Sequence, residues 1–209
     1  MKLFRSTLPV LIALCLGATF AHAQSGVDVF AGAGTMTDKS SGTSINTFGT
    51  GNFTTPRLGG VFGKVGADAM LTSHFGVGGE ADFRVSQGAY AGLTFRPTFY
   101  DFNAIWAPTG RSLKRVVPEI QAGIGAANLR FYAKQSFCDA LAGCSNNNTF
   151  LESSNHFQTH LSAGIRFYAT PHLFFRPQID ARYVNNFFQF NSNWVPEYSA
   201  SVGWSFGER

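Results

Sequence analysis

Between residues 75 and 86 two kinds of side chain alternate without a break. Phe75, Val77, Gly79, Ala81, Phe83 and Val85 share one parity, and Gly76, Gly78, Glu80, Asp82, Arg84 and Ser86 share the other. Neighbouring side chains on a strand point to opposite faces, so one face is apolar and the other carries three charges. The pattern recurs to the end of the chain, as in 173–183 and 198–206. A chain built this way folds as β-structure in which half of every strand is greasy and half is ionic.

The N-terminus sets where such strands fold. Lys2 and Arg5 precede an apolar run over 8–20 that ends in Ala21-His22-Ala23, the three-part pattern of a secretory signal peptide cleaved after Ala23. The run is shorter than the roughly 20 residues a membrane-spanning helix needs. Cys15 sits within that run after Leu14 and does not read as a lipidation site. The chain thus divides into a leader over 1–23 and one domain over 24–209. Without the leader, 14 basic and 12 acidic residues remain, too even a balance to imply a nucleic-acid partner. The chain has 23 Gly and 22 Phe, a composition that disfavours helices and favours strands.

Parity counting gives eight strands, at 26–34, 57–70, 75–86, 90–106, 116–133, 157–168, 173–183 and 197–206. The fourth and fifth each slip parity midway, which predicts a β-bulge in each. Segments 35–56, 134–155 and 185–196 read as long polar loops, and 72–74 and 170–172 as tight turns. Long connections on one side and short ones on the other, an export signal, and one apolar and one charged face per strand fit a transmembrane barrel, apolar toward lipid and polar within. The expected fold is therefore an all-β, eight-stranded antiparallel up-and-down barrel with both termini at the short-turn end.

On this parity Lys64, Glu80, Asp82, Arg84, Arg96, Glu119, Arg166, Arg176, Asp180, Arg182 and Glu197 enter the lumen. A barrel of eight strands is filled by its own side chains, and buried charges left unpaired are costly. The expected state is an ion-paired plug. The alternative is a narrow pore whose charges set selectivity.

The export signal, the strand count and the terminal series Tyr198, Ala200, Val202, Trp204, Phe206 resemble the small OmpA-like outer-membrane β-barrel proteins of diderm bacteria. The resemblance implies a bacterial outer-membrane location and contact with outer-membrane lipid. It also implies passage through periplasmic chaperones and the barrel-assembly machinery, with Tyr198, Trp204 and Phe206 as the C-terminal assembly signal. Gly207, Glu208 and Arg209 follow that signal, a departure from the usual terminal aromatic residue. A structural or surface-interaction role, with the three long loops meeting an unknown extracellular ligand, is the expected function.

Little in the sequence points to catalysis or a cofactor. Cys138 and Cys144 lie in a predicted loop of an oxidising compartment and read as a disulfide. No nearby Cys or His completes a four-ligand zinc set around them. His160-Leu161-Ser162 resembles the His-x-Ser pair of outer-membrane lipid A deacylases. A serine nucleophile needs a base and an orienting acid, yet no Asp or Glu lies between Glu152 and Asp180, and the parity sends the pair inward. The glycines of 32–34 and 123–125 precede no helix and are not phosphate loops. No enzyme activity, cofactor or metal is expected.

Overall fold

Strand after strand hydrogen-bonds to its neighbour until the last meets the first. The structure is a computed structural model and describes residues 26–38, 44–46, 52–54, 56–90, 93–112, 114–139, 143–187 and 190–207. The expected leader lies outside these residues. In chain order the strands are β1 (Val27–Met36), β2 (Ser44–Asn46), β3 (Asn52–Thr54), β4 (Val61–Met70), β5 (Phe75–Arg84), β6 (Gly88–Tyr90), β7 (Leu93–Trp106), β8 (Val116–Asp139), β9 (Gly143–Tyr168), β10 (Leu173–Val184) and β11 (Trp194–Phe206). Eight of them, β1, β4, β5, β7, β8, β9, β10 and β11, pair antiparallel in that order, and β11 pairs back onto β1. The barrel is closed. The short β2 and β3 form a hairpin within the first long connection, and β6 adds to the end of β7.

The register fixes the barrel's shape. A ladder followed from Phe75 through Trp106, Ile120, Ala163, Ile179, Tyr198, Thr35 and Val61 returns at Val85, ten residues further on. With a rise of about 3.3 Å per residue and strands about 4.8 Å apart, that stagger tilts the strands by roughly 40° and sets a backbone radius of about 8 Å. Such a lumen holds side chains and little else. Each residue along a strand then climbs about 2.5 Å along the barrel axis.

Glycine appears where this packing leaves no room. A β-carbon on Gly125 would fall on the Tyr100 carbonyl, and one on Gly123 on the Asn103 side chain and the Phe102 carbonyl. These two glycines belong to tight strand pairing rather than to any phosphate loop.

Outward residues form an apolar belt. Phe75, Trp106, Phe167 and Trp204 ring the short-turn end, while Phe83, Tyr183, Phe157 and Trp194 ring the other, and all are exposed. The two rings are roughly 25 Å apart on the geometry above, which matches the height of the lipid-facing band of membrane barrels.

Three sequence expectations change. β7 and β8 contain no bulge where the parity slips, because their register runs unbroken from Leu93↔Ala133 to Trp106↔Ile120. Apolar residues instead switch to the inside near the long-loop end: Phe95, Phe99, Ala127 and Leu129 are buried, and Arg96 and Arg130 are exposed. Above the belt the outside is wet, so the favourable arrangement reverses. The segment 134–155 is not a loop. β8 and β9 continue as one hairpin, with a register shift at Phe131/Tyr132 that leaves Leu151 as the extra residue. The hairpin rises roughly 30 Å beyond the belt. The segment 185–196 is not a free loop either, since Phe187 and Phe190 fold into the barrel mouth.

Candidate functional site

The lumen is stacked in layers. At the short-turn end Phe30, Met70, Ile105, Ala107, Val117, Tyr168 and Phe174 form an apolar plug. At the long-loop end Met36, Leu58, Phe62, Phe95, Phe99, Leu129, Phe187 and Phe190 are among those forming a second. Its rings interlock: Phe187 stacks on Phe190 at 4.4 Å, and Phe99 meets Phe62 at 6.2 Å and Phe187 at 6.4 Å. The charged residues lie between these plugs or threaded among them.

Two ionic clusters can be separated. The lower one joins Arg166 to Asp28, Asp68 and Glu119, the last at 2.7 Å, and Arg176 to Asp68 at 3.0 Å. Arg111 reaches the same Asp28 from the turn between β7 and β8. That turn is longer than a tight reversal because it tucks inward, with Gly110 at φ 68° and the Arg111 N–H donating to the Ser73 carbonyl at 2.9 Å. Three arginines therefore face three carboxylates, and the lower cluster is balanced.

The upper cluster is not. Lys64 lies 3.2 Å from Glu80, 3.5 Å from Asp82, 3.4 Å from Asp180 and 3.4 Å from Glu197. Arg182 contacts Asp82 at 2.6 Å, Asp101 at 3.1 Å and Glu80 at 3.2 Å, and also pairs with Glu197. Two fixed cations thus meet five carboxylates. Gln158 and Gln178 donate to Asp101 and Asp180, each at 2.6 Å, which spreads part of the surplus negative charge over neutral amides. Arg176 links the clusters, 3.9 Å from Glu80. Where ions meet plug, guanidinium groups lie over rings: Arg176 over Phe30 at 3.9 Å, Arg166 over Phe174 at 4.8 Å and Arg182 over Phe99 at 5.7 Å. Such contacts favour cation over ring in a dry setting.

Of the residues read as luminal, Lys64, Glu80, Asp82, Arg84, Glu119, Arg166, Arg176, Asp180, Arg182 and Glu197 are buried inside. Arg96 is a correction: it lies on the outer face, because β7 keeps one parity throughout. Arg84 enters the lumen yet reaches no carboxylate of either cluster. It donates to the carbonyls of Arg57 at 3.1 Å and Gly59 at 2.6 Å, latching the segment that carries Leu58 into the upper plug. Sequence reading missed Asp28, whose glycine-rich strand blurs the parity, and Arg111, which sits in a turn. Asp101 carried a usable signal, since it alternates with Tyr100 and Phe102.

His160 and Ser162 both point inward and are buried. The acid missing from the sequence nearby comes from across the sheet: Asp180 is the register partner of Ser162 and lies 2.8 Å from His160 Nε2. The other ring nitrogen, Nδ1, lies 2.9 Å from Asn103 Oδ1. Both nitrogens are engaged, so neither is aimed at the Ser162 hydroxyl, and His160 and Ser162 do not form a nucleophile–base pair. Glu80, Asp101 and His160 are close enough together to suggest metal ligands, but Lys64 and Arg182 already contact those carboxylates. Cys138 and Cys144 are directly opposite in the β8–β9 register; their side chains lie outside the described residues. Tyr198, Trp204 and Phe206 project outward from the strand that closes the barrel.

Comparison with known proteins agrees with this architecture. The family profile described as outer membrane protein beta-barrel domain matches residues 6–206. A major outer membrane protein from Thermus thermophilus superposes with a TM-score of 0.55 at 14% identity, over 87% of this chain and 99% of that one. Neisserial surface protein A gives 0.52 at 16% identity, over 88% and 98%. The outer membrane protein OprG from Pseudomonas aeruginosa gives 0.52 at 12% identity, over 88% and 97%. At these identities the likeness is one of fold. No curated protein matches the sequence.

Proposed function

We propose, from the premise that this chain belongs to the outer membrane protein beta-barrel family and resides in the bacterial outer membrane, that it is a sealed barrel serving as a rigid mount for a surface-contact arm. The observation that carries this reading is the lumen, where an ionic layer is bracketed by two interlocked apolar plugs. An ion entering from the long-loop side meets interlocked phenylalanines, and one entering from the short-turn side meets the already paired Arg111 and Asp28 beside Phe30, Tyr168 and Phe174. A desolvated ion pays several kcal/mol to cross such a layer, so passive conduction is disfavoured. Catalysis is disfavoured by the engagement of both His160 nitrogens.

Short turns lie at the periplasmic end in barrels of this kind and longer connections outside, which directs the β8–β9 hairpin away from the cell. Near its register shift, Phe150 is 53% and Leu151 51% exposed. Bulges re-aim side chains, and large apolar groups exposed on a projecting element mark contact sites. The arm is thus better suited to meeting a partner than the segment 185–196, whose phenylalanines are committed to the plug.

Planar-bilayer recording tests the sealed lumen. The expected trace shows no discrete opening for the wild type or for the Phe99→Ala/Phe187→Ala variant, because the lower plug remains. Current is expected only when Phe30→Ala and Phe174→Ala are added. Discrete wild-type openings in repeated preparations would overturn the reading in favour of a narrow pore.

A further inference from the structure

Two arginines stand side by side on the outer surface without a carboxylate. Arg96 of β7 and Arg130 of β8 are register partners, and both are exposed. Like charges directly opposite on neighbouring strands repel. Among the described residues neither guanidinium forms an ion pair. Arg130 Nε donates to Asn128 Oδ1 at 3.2 Å, and Asn128 Nδ2 donates to Asn155 Oδ1 at 2.8 Å. This chain of bonds engages the Arg130 group through its Nε, and the side chain is exposed.

The height of the pair narrows what fills the gap. Tyr100, Ala126 and Phe157 form the last apolar row of the belt on these strands. Thr98, Asn128 and Asn155 form the next row, and Arg96, Arg130 and Ser153 the one above it. Four residues separate the arginine row from the apolar row, or about 10 Å along the axis. Headgroups occupy roughly 5–8 Å beyond the hydrocarbon edge, and an arginine side chain leaning back toward the membrane spans the difference.

We propose that Arg96 and Arg130 clamp the phosphate of a phosphorylated outer-leaflet lipid. A guanidinium fork matches phosphate in geometry and charge, and two forks facing one dianion turn their mutual repulsion into shared attraction. The polar row of Thr98, Asn128 and Asn155 offers hydrogen bonds to the rest of the headgroup. A lipid is favoured over free phosphate because its chains can lie along Phe102, Ile124 and Phe157 below the clamp. Free phosphate gains none of that contact.

The test uses the protein refolded into phosphatidylcholine vesicles, with the urea midpoint of unfolding as readout. Separate arms add bis-phosphorylated lipid A, the same lipid stripped of its phosphates, or inorganic phosphate in the buffer. The midpoint is expected to rise only in the first arm. Arg96→Gln/Arg130→Gln is expected to need at least five-fold more phosphorylated lipid for half the rise, while the Arg96→Lys/Arg130→Lys variant retains part of it. In pure phosphatidylcholine the Gln pair is expected to be no less stable than the wild type, since repulsion is relieved. An equal rise with dephosphorylated lipid, an equal rise with inorganic phosphate, or a Gln pair that binds within two-fold of wild type would each overturn the proposal. So would a Gln pair that fails to refold in phosphatidylcholine, because the pair would then be structural.

Discussion

Replacing Arg182 with Met exposes how the upper cluster is held. The guanidinium touches four carboxylates, Glu80, Asp82, Asp101 and Glu197, and Met keeps most of its length without its charge. Each charge-assisted hydrogen bond contributes about 1.5–3 kcal/mol, so four of them set a ceiling of roughly 6–12 kcal/mol. Proton uptake by the orphaned carboxylates and entry of water reduce that sum. Buried ion pairs that lose one partner cost about 3–5 kcal/mol, and the upper end applies here, because Lys64 alone is left to pair Glu80, Asp82, Asp180 and Glu197, and Asp101 loses its arginine. The measurement is urea unfolding of the refolded barrel in phosphatidylcholine vesicles, followed by fluorescence of Trp106, Trp194 and Trp204, all of which face outward. Adding Asp82→Asn and Glu197→Gln is expected to recover at least half the loss, since the charge is then removed from both sides. A loss below about 1 kcal/mol for Arg182→Met, well under the range for a broken buried pair, would refute the idea that this network holds the barrel.

Three further outcomes follow from the same packing. In the same unfolding assay Asp28→Asn, which unbalances the lower cluster, is expected to destabilise the barrel more than Glu197→Gln, which relieves the surplus in the upper one; the reverse order would contradict the charge count. Gly125→Val is expected to block closure, because its β-carbon would collide with the Tyr100 carbonyl, and heat-modifiable gel mobility would then show only the unfolded band. Cys138 and Cys144, opposite each other across β8 and β9, are spaced as cross-strand disulfide partners are; intact-mass analysis after alkylation should find both thiols blocked only after reduction, and two free thiols beforehand would refute the pairing.

The fold was legible wherever strands stay within the membrane belt. In β5, β9, β10 and β11 each apolar parity read from the sequence faces outward, since lipid lies outside those segments. The reading failed where strands leave the belt. Phe95 has the same chemistry as Phe102, but at its height water surrounds the barrel and the only dry place is inside. A two-residue period locates a face without stating which solvent that face meets, so a reversal of solvent resembles a slip of register. The partner of His160 was hidden for another reason. Asp180 lies twenty residues away in sequence, and only the β9–β10 register brings the two together.

That reversal also accounts for the order of layers in the lumen. Charges inside the barrel at membrane depth are ringed by lipid and have little water to relax them, so they persist only when paired and shielded. The apolar plugs supply the shielding: each sits at a mouth where water would otherwise enter and weaken the ion pairs by raising the local dielectric. Interior phenylalanines at the ends and interior ions at the centre therefore act as one device. The ions bind strands distant in sequence to one another, as Lys64 of β4 binds Asp180 of β10, and the phenylalanines keep those bonds strong. A variant that wets one mouth, such as Phe99→Ser, should then lower stability beyond the loss of its own packing and make it more sensitive to salt. A Phe99→Ser variant whose urea midpoint shifts with salt no more than that of the wild type would separate plug from network and undo the argument.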